Sequence, residues 1–207
     1  MDLESVITTD EQLRTLYRAP SSTAASKNRD RIDPESARFI ARSPLVLFAT
    51  SGADGRCDVS PRGGPPGFVA MLDDRHVALP DLNGNNRLDS LGNLIANPQC
   101  GLLFVVPGSD DTVRINGRAV ITTDARVLDA CAGDIRTPKL AVVVTTDELY
   151  VHCAKSFRRA RAWEPESWPE PGEVPDLAAI YACQLGIDAA EKRTELEKVY
   201  AESLALD

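Results

Sequence analysis

DVSPRGGPPGF, residues 58–68, is the densest polar cluster in an otherwise apolar, β-textured part of the chain. Pro61, Pro65 and Pro66 have no N–H to give to a ladder, so this strand must run along a sheet edge or break early. Either way it leaves backbone donors and acceptors free for another use. A flat heterocycle with several ring acceptors could use them; a plain irregular loop would have the same composition.

The neighbouring runs LVLFATS (45–51), CDVSPRGG (57–64), GFVAML (67–72) and HVALPDL (76–82) are each bounded by Gly, Asp or Pro and read as strands. ADG at 53–55 predicts the hairpin turn between the first two. CGLLFVV (100–106) and TVRINGRAVITT (112–123) follow, separated by PGSDD, and after a short helical stretch near 125–132 comes KLAVVVTTDELYVHC (139–153). Some six strands with few helices predict a mainly β, α+β fold, a six-stranded antiparallel barrel with peripheral helices.

Thr9 and Gln12 spell a capping box, followed at helical spacing by Leu13, Leu16 and Tyr17. Residues 19–31, APSSTAASKNRDR, lose all periodicity and read as a flexible connector or lid. Asp33 before Pro34 is an N-cap with a first-turn proline, with Phe39 and Ile40 facing inward until Pro44 ends the helix. LNGNN (82–86) introduces a further helix whose Leu88, Leu91 and Ile95 share one side, closed by Asn97-Pro98. Beyond Trp163, EPESWPEPGEVPD is a Pro- and Glu-rich linker, and the tail helix that follows sets Leu196, Val199, Tyr200 and Leu204 on one side. That side needs the barrel or a partner subunit to pack on. The organisation expected is an N-terminal helix and connector (1–32), a barrel domain (33–163), and a linker with a C-terminal helix (164–207).

The chain of 207 residues carries a net charge of −8, a field that disfavours nucleic acid. Arg158, Arg159 and Arg161 read as a solvated helix face. No apolar run approaches the roughly 20 residues that span a bilayer, and no export leader opens the chain, so a cytoplasmic protein with no membrane partner is expected. Five widely spaced cysteines without a CxxC pair suggest neither a disulfide framework nor a metal site, and Cys57 and Cys100 read as small buried hydrophobes.

Three further clusters could carry chemistry. In LNGNNRLDS (82–90) a helix start offers unpaired N–H groups and partial positive charge to an anion, and Asn86 and Arg87 add side-chain donors, though Asn85 and Asn86 would equally serve as plain caps. Asp89 and Ser90 in the first turn also suit an empty helix. RINGRA (114–119) puts Arg114, Asn116 and Arg118 on one strand face, lining a polar groove or facing water. His152, Cys153 and Lys155 end the last β run; adjacent strand residues point to opposite faces, which argues against a metal or nucleophile pair there. His76 reads as a plain strand-edge residue.

Taken in order, DVSPRGGPPGFV, GNNRLDSLGNLIANPQCGLLF, VRINGRA and LYVHCAKSFRRARAW resemble the pyridoxamine 5'-phosphate oxidase-like superfamily, and within it the FMN-dependent enzymes of unassigned substrate. The resemblance covers about residues 35–163. It implies a split barrel, a homodimer with FMN in clefts between the subunits, and a flavin-dependent oxidoreductase acting on a small molecule by hydride transfer at flavin N5. It implies that Asn86 and Arg87 grip the FMN phosphate, with Asn85 and Ser90 also among the cofactor-binding residues, and that Asp58, Val59, Ser60 and Arg62 meet the ring and ribityl chain. Arg114 falls in the strand motif ending at Gly117, and His152 and Lys155 in the terminal segment that approaches the cofactor from the other subunit. Leu88 stands where the oxidase has lysine, Gly63-Gly64 replace its basic strand end, and the chain finishes SLALD rather than Arg-Leu-x-Pro, which argues against oxidation of the vitamin itself. No catalytic side chain is assigned; Arg62 and His152 are the candidates. The same barrel hosts users of the deazaflavin F420, whose anionic tail Lys27, Arg29 and Arg31 could meet, and non-enzymatic flavin or haem carriers, the latter needing His76 or His152 as axial ligand.

Overall fold

The computed structural model describes residues 1, 3–133 and 136–205. Its strands are β1 (Leu45–Ser51), β2 (Cys57–Gly63), β3 (Ala70–Met71), β4 (His76–Pro80), β5 (Gln99–Val105), β6 (Thr112–Thr122) and β7 (Ala141–His152). They pair antiparallel in one sheet of order β2-β1-β5-β6-β7-β4-β3. The antiparallel α+β fold is the one expected, with two corrections. There are seven strands rather than six, GFVAML adding the two-residue β3 at one edge. The ladder does not close, which leaves β2 and β3 as edges.

The helices are α1 (Asp10–Leu16), α2 (Ser22–Ser26), α3 (Pro34–Ile40), α4 (Asp89–Ala96), α5 (Ala125–Ala132), α6 (Lys155–Ala160), α7 (Leu177–Leu185) and α8 (Ala189–Leu204). The capping box of α1 forms as read, with Gln12 N–H donating to Thr9 Oγ1 at 3.2 Å, yet Leu13, Leu16 and Tyr17 stay exposed. Asp33 caps α3 by accepting from the Glu35 and Ser36 N–H groups, both at 3.0 Å, and Ile40 is buried. The connector departs from its expected looseness: it contains α2, and Arg29 exchanges backbone hydrogen bonds of 3.0 and 2.6 Å with Leu149 of β7. Such long-range pairing leaves no trace in local composition. The tail helix α8 packs on α7, while Val199, Tyr200 and Leu204 remain exposed. The last two residues of SLALD lie outside the described ones.

Register explains the core. Val46 stands opposite Phe104 and Phe48 opposite Leu102, which in turn faces Ile115, and all are buried. Each such side chain contributes about 1.5–3 kcal/mol on leaving water. At Asn116/Gly117 the β6–β7 register shifts, so that Asp147 bulges out. A Cβ on Gly117 would lie 2.0 Å from the Thr145 carbonyl oxygen, so RINGRA carries glycine there because two backbones meet.

Candidate functional site

Asp58, Ser60 and Arg62 pair with Thr50, Phe48 and Val46, so their side chains share the core face of the sheet. Since β2 is an edge strand, that face ends in a rim instead of continuing the core, and polar side chains can remain there half-exposed. Opposite the rim stands the first turn of α4, fixed to β1 by Asn93 Nδ2 donating to Thr50 Oγ1 at 3.0 Å and Asn97 Nδ2 donating to Ser51 Oγ at 2.9 Å. Between them opens a cavity of about 250 Å³ lined by Asp58, Ser60, Arg62, Asp81, Leu82 and residues 84–91.

Ser90, buried in the α4 first turn, joins the two walls. Its Oγ donates to Asp58 Oδ2 at 2.6 Å and accepts from Arg62 Nη2 at 3.2 Å. Arg62 Nε also donates to Ser60 Oγ at 3.3 Å, its Nη1 lies 4.0 Å from Asp81 Oδ1, and its guanidinium sits 5.8 Å from the Phe48 ring centroid. The guanidinium is thereby held at the rim. Burial raises the pKa of Asp81, against the opposing pull of Arg62 and Lys139.

The helix start differs from the expected one. Leu88 is the residue before α4 and adopts a left-handed conformation (φ 61°), as does Asn86 (φ 55°), and no side chain caps the first turn. The apolar side shifts accordingly: Leu91 and Leu94 are buried with Ser90, whereas Leu88 and Ile95 are 58% and 82% exposed. A left-handed leucine costs of order 1–3 kcal/mol, strain that tends to persist at functional sites. Asn85 Oδ1 accepts from the Arg87 N–H at 3.1 Å, and Arg87 Nε donates to Asp89 Oδ2 at 2.8 Å in an exposed ion pair. The Asn86 side chain makes no hydrogen bond among the described residues. The mouth therefore offers uncapped helical N–H groups, a free carboxamide and two guanidiniums, a donor set that an oxyanion can use, although Asp58, Asp81 and Asp89 also line it.

The profile of the family described as "Pyridoxamine 5'-phosphate oxidase" matches residues 32–153. This chain belongs to that family. Among solved structures it is similar to HupZ of Group A Streptococcus (21% identity over 58% of this chain and 93% of that one, TM-score 0.47). It is also similar to a putative pyridoxamine 5'-phosphate oxidase of Lactobacillus delbrueckii (20%, 60% and 98%, TM-score 0.47). A third likeness is to HutZ, the haem storage protein of Vibrio cholerae (14%, 59% and 94%, TM-score 0.41). A search of curated proteins finds no match. Membership rests on the profile, which spans every strand from β1 to β7 and all of the cavity lining.

In this member of the pyridoxamine 5'-phosphate oxidase family, Asp58, Ser60, Arg62, Asn85, Asn86, Arg87 and Ser90 meet in one cavity. Val59 does not: it points to the opposite face of β2 and is 63% exposed. Arg114 also lies on that outer face, donating to Glu148 Oε1 at 2.6 Å, and Asn116 Nδ2 donates to the same oxygen at 3.2 Å. Arg118 pairs instead with Asp147 in the bulge. His152 packs edge-on to Tyr150 on the outer face, its pKa lowered by burial and then by Arg114 and Lys27. Lys155 is exposed at the start of α6. Within one chain, then, Arg114, His152 and Lys155 do not reach the cavity. His76 bonds Asp73 at 2.9 Å through Nδ1 and lies outside it too. Of the connector cations, Lys27 donates to the Val151 carbonyl, Arg29 to those of Ser26 and Asn28, and Arg31 pairs with Asp74.

Asp81 was not singled out by sequence reasoning; the only signal is an acidic residue placed directly after the buried apolar run Val77–Pro80. Leu204, near the end of α8, lines an adjoining hollow with Ser60, Pro61, Arg62 and Phe68, which sequence spacing could not foretell. Among the described residues no group of three or more His, Cys, Asp or Glu could hold a metal, and no helix is long and apolar enough to cross a membrane. Cys57, read as buried, is exposed because β2 lies at the edge, while Cys100 in the central β5 is buried as expected.

Proposed function

We propose that this protein binds FMN at the β2–α4 mouth and acts as a flavin-dependent oxidoreductase on a small molecule. One observation carries the reading: an uncapped helix start and a proline-interrupted sheet edge, distant in sequence, border the same cavity. The first turn of α4, Asn85, Asn86 and Arg87 receive the phosphate, for which Arg87 must leave its exposed pair with Asp89. Such pairs hold weakly in water. Arg62, steadied by Ser60 and Ser90, stands at the β2 rim, and together with that strand edge it would hold the isoalloxazine ring. Hydride transfer at N5 is the chemistry that FMN supplies when bound.

The resemblance adds a cytoplasmic homodimer with FMN between subunits. The outer face supports that arrangement: exposed Val59 flanks a strip on which Arg114, Tyr150 and His152 stand, so a second copy would bring these groups towards a cleft they do not reach within one chain. F420 remains the alternative cofactor, but Lys27, Arg29 and Arg31 are engaged away from the cavity and do not favour it.

The deciding experiment is the absorbance spectrum of freshly purified protein, followed by mass spectrometry of the released chromophore and turnover assays with NAD(P)H. Stoichiometric FMN and reduction of the bound flavin are expected. Failure to bind riboflavin monophosphate in equilibrium dialysis would remove the reading, and bound flavin that never turns over would leave a carrier instead of an enzyme.

A further inference from the structure

The α7–α8 hairpin, far from β2 in sequence, comes back to the β2–α4 mouth at two places. Beside the β2 rim, a hollow of about 400 Å³ shares Ser60, Arg62 and Leu82 with the mouth and is walled by Pro61, Phe68 and, from α8, Leu204. Arg62 is the one charged residue of its described lining, and Asp81 opposes that charge from 4.0 Å, so the hollow is an apolar annex of the mouth and not an ion seat. Near the start of α4 stands Tyr181 of α7: the Arg87 pKa is raised, first by its hydrogen bond with Asp89 and then by the charges of Asp89, Asp58 and Tyr181.

The two helices are tied to each other. Arg193 Nε pairs with Asp176 Oδ2 at 2.6 Å, and Lys192 Nζ lies 5.8 Å from the Tyr181 ring centroid. Nothing comparable ties them to the sheet: among the described residues the hydrogen bonds and ion pairs of the hairpin run within residues 176–205. Its place beside the mouth therefore rests on apolar contact, which is non-directional and lets the pair of helices lift without breaking a hydrogen bond. Leu204 is 74% exposed, so its apolar surface is left for a ligand at the rim to cover.

We propose that the α7–α8 hairpin is a movable roof over the β2–α4 mouth and that Leu204 is the residue that closes on the ring side of the bound ligand, excluding water there. The inference deepens the flavin reading above and rests on it. The ligand enters and leaves with the roof lifted, so Leu204 governs how long it stays and how dry its ring is kept, while the α4 turn governs recognition of its phosphate. Leu204 is thus a positioning residue, with no part in the transfer of hydride itself.

The test uses the full chain as wild type, Leu204→Gln and the conservative Leu204→Met, with stopped-flow FMN binding and release and with hydrogen–deuterium exchange in the absence and presence of FMN. Leu204→Gln should speed FMN release by roughly tenfold, the effect of one leucine side chain left uncovered, with the association rate unchanged, and Leu204→Met should restore the slow release. FMN should protect the amides of residues 196–205 in the wild type and leave them unprotected in Leu204→Gln. Equal release rates in wild type and Leu204→Gln, or FMN that protects the α4 start but not α8, overturns the roof and leaves the flavin reading intact. Should FMN bind none of the three, the ligand-free chains decide: faster exchange of residues 60–68 in Leu204→Gln means that the roof stands and the flavin reading falls, and unchanged exchange there means that both fall.

Discussion

Replacing Ser90 by alanine tests whether the α4 turn and the β2 rim are one unit. The Ser90 residue is 3% exposed, and its hydroxyl serves two charged partners, donating to Asp58 at 2.6 Å and accepting from Arg62 at 3.2 Å. A hydrogen bond to a charged group contributes about 1.5–3 kcal/mol. Two effects reduce the loss: alanine is the better helix former by about 0.5 kcal/mol, and the open cavity lets water reach Asp58. The net destabilisation expected is about 1–2.5 kcal/mol, which for a chain of this length lowers Tm by roughly 2–10 °C. Urea unfolding followed by circular dichroism measures it. The partner variant is Asp58→Ala, and the cycle should return a coupling of about 0.5 kcal/mol or more. If Ser90→Ala is neutral, or costs as much with Asp58 removed as with it present, the hydroxyl does not join the two walls and the cavity is not preorganised by it.

Thiol labelling at pH 7 should modify Cys57, Cys153 and Cys183 in the native protein and spare Cys100 and Cys131, whose burial pushes their pKa up to about 12 and about 11. Cys153 should react first, since the Lys155 N–H and nearby Lys155 and Lys27 charges lower its pKa; peptide mass spectrometry reads the order, and early loss of Cys100 contradicts the burial. For His152, a pKa held below 6.5 by burial means that its contribution to stability is present above pH 6.5 and is lost as pH falls through the folded-state value. An NMR titration should place its midpoint below 6.5, and His152→Asn should flatten that part of the stability profile; a midpoint above 6.5 refutes the account.

Local chemistry was legible from sequence wherever a few adjacent residues settle it. Thr9 with Gln12 and Asp33 with Pro34 specify caps, and Pro61 marks an edge, because each depends on groups within one turn or one strand. Alternation likewise put Arg114 and Asn116 on one face, but which face is inward depends on β5, where Leu102 and not Leu103 is buried in the core. The helical spacing of Leu88, Leu91 and Ile95 misled because Ser90, a polar residue, takes the inward position through Asp58, thirty-two residues away in sequence. The same limit hid Asp81, whose partners are Arg62 and the Leu140 carbonyl, and the ordering of the connector on Leu149, all distant in sequence.

The unpaired margin of β2 also bears on how the molecule keeps to itself. A long bare strand edge invites another chain to zip on and start a fibre. Here the template is short, seven residues, and Pro61, the fifth of them, removes a donor from the row. The proline that frees backbone groups for a small ligand thus also denies a foreign strand the continuous hydrogen bonding needed to stack.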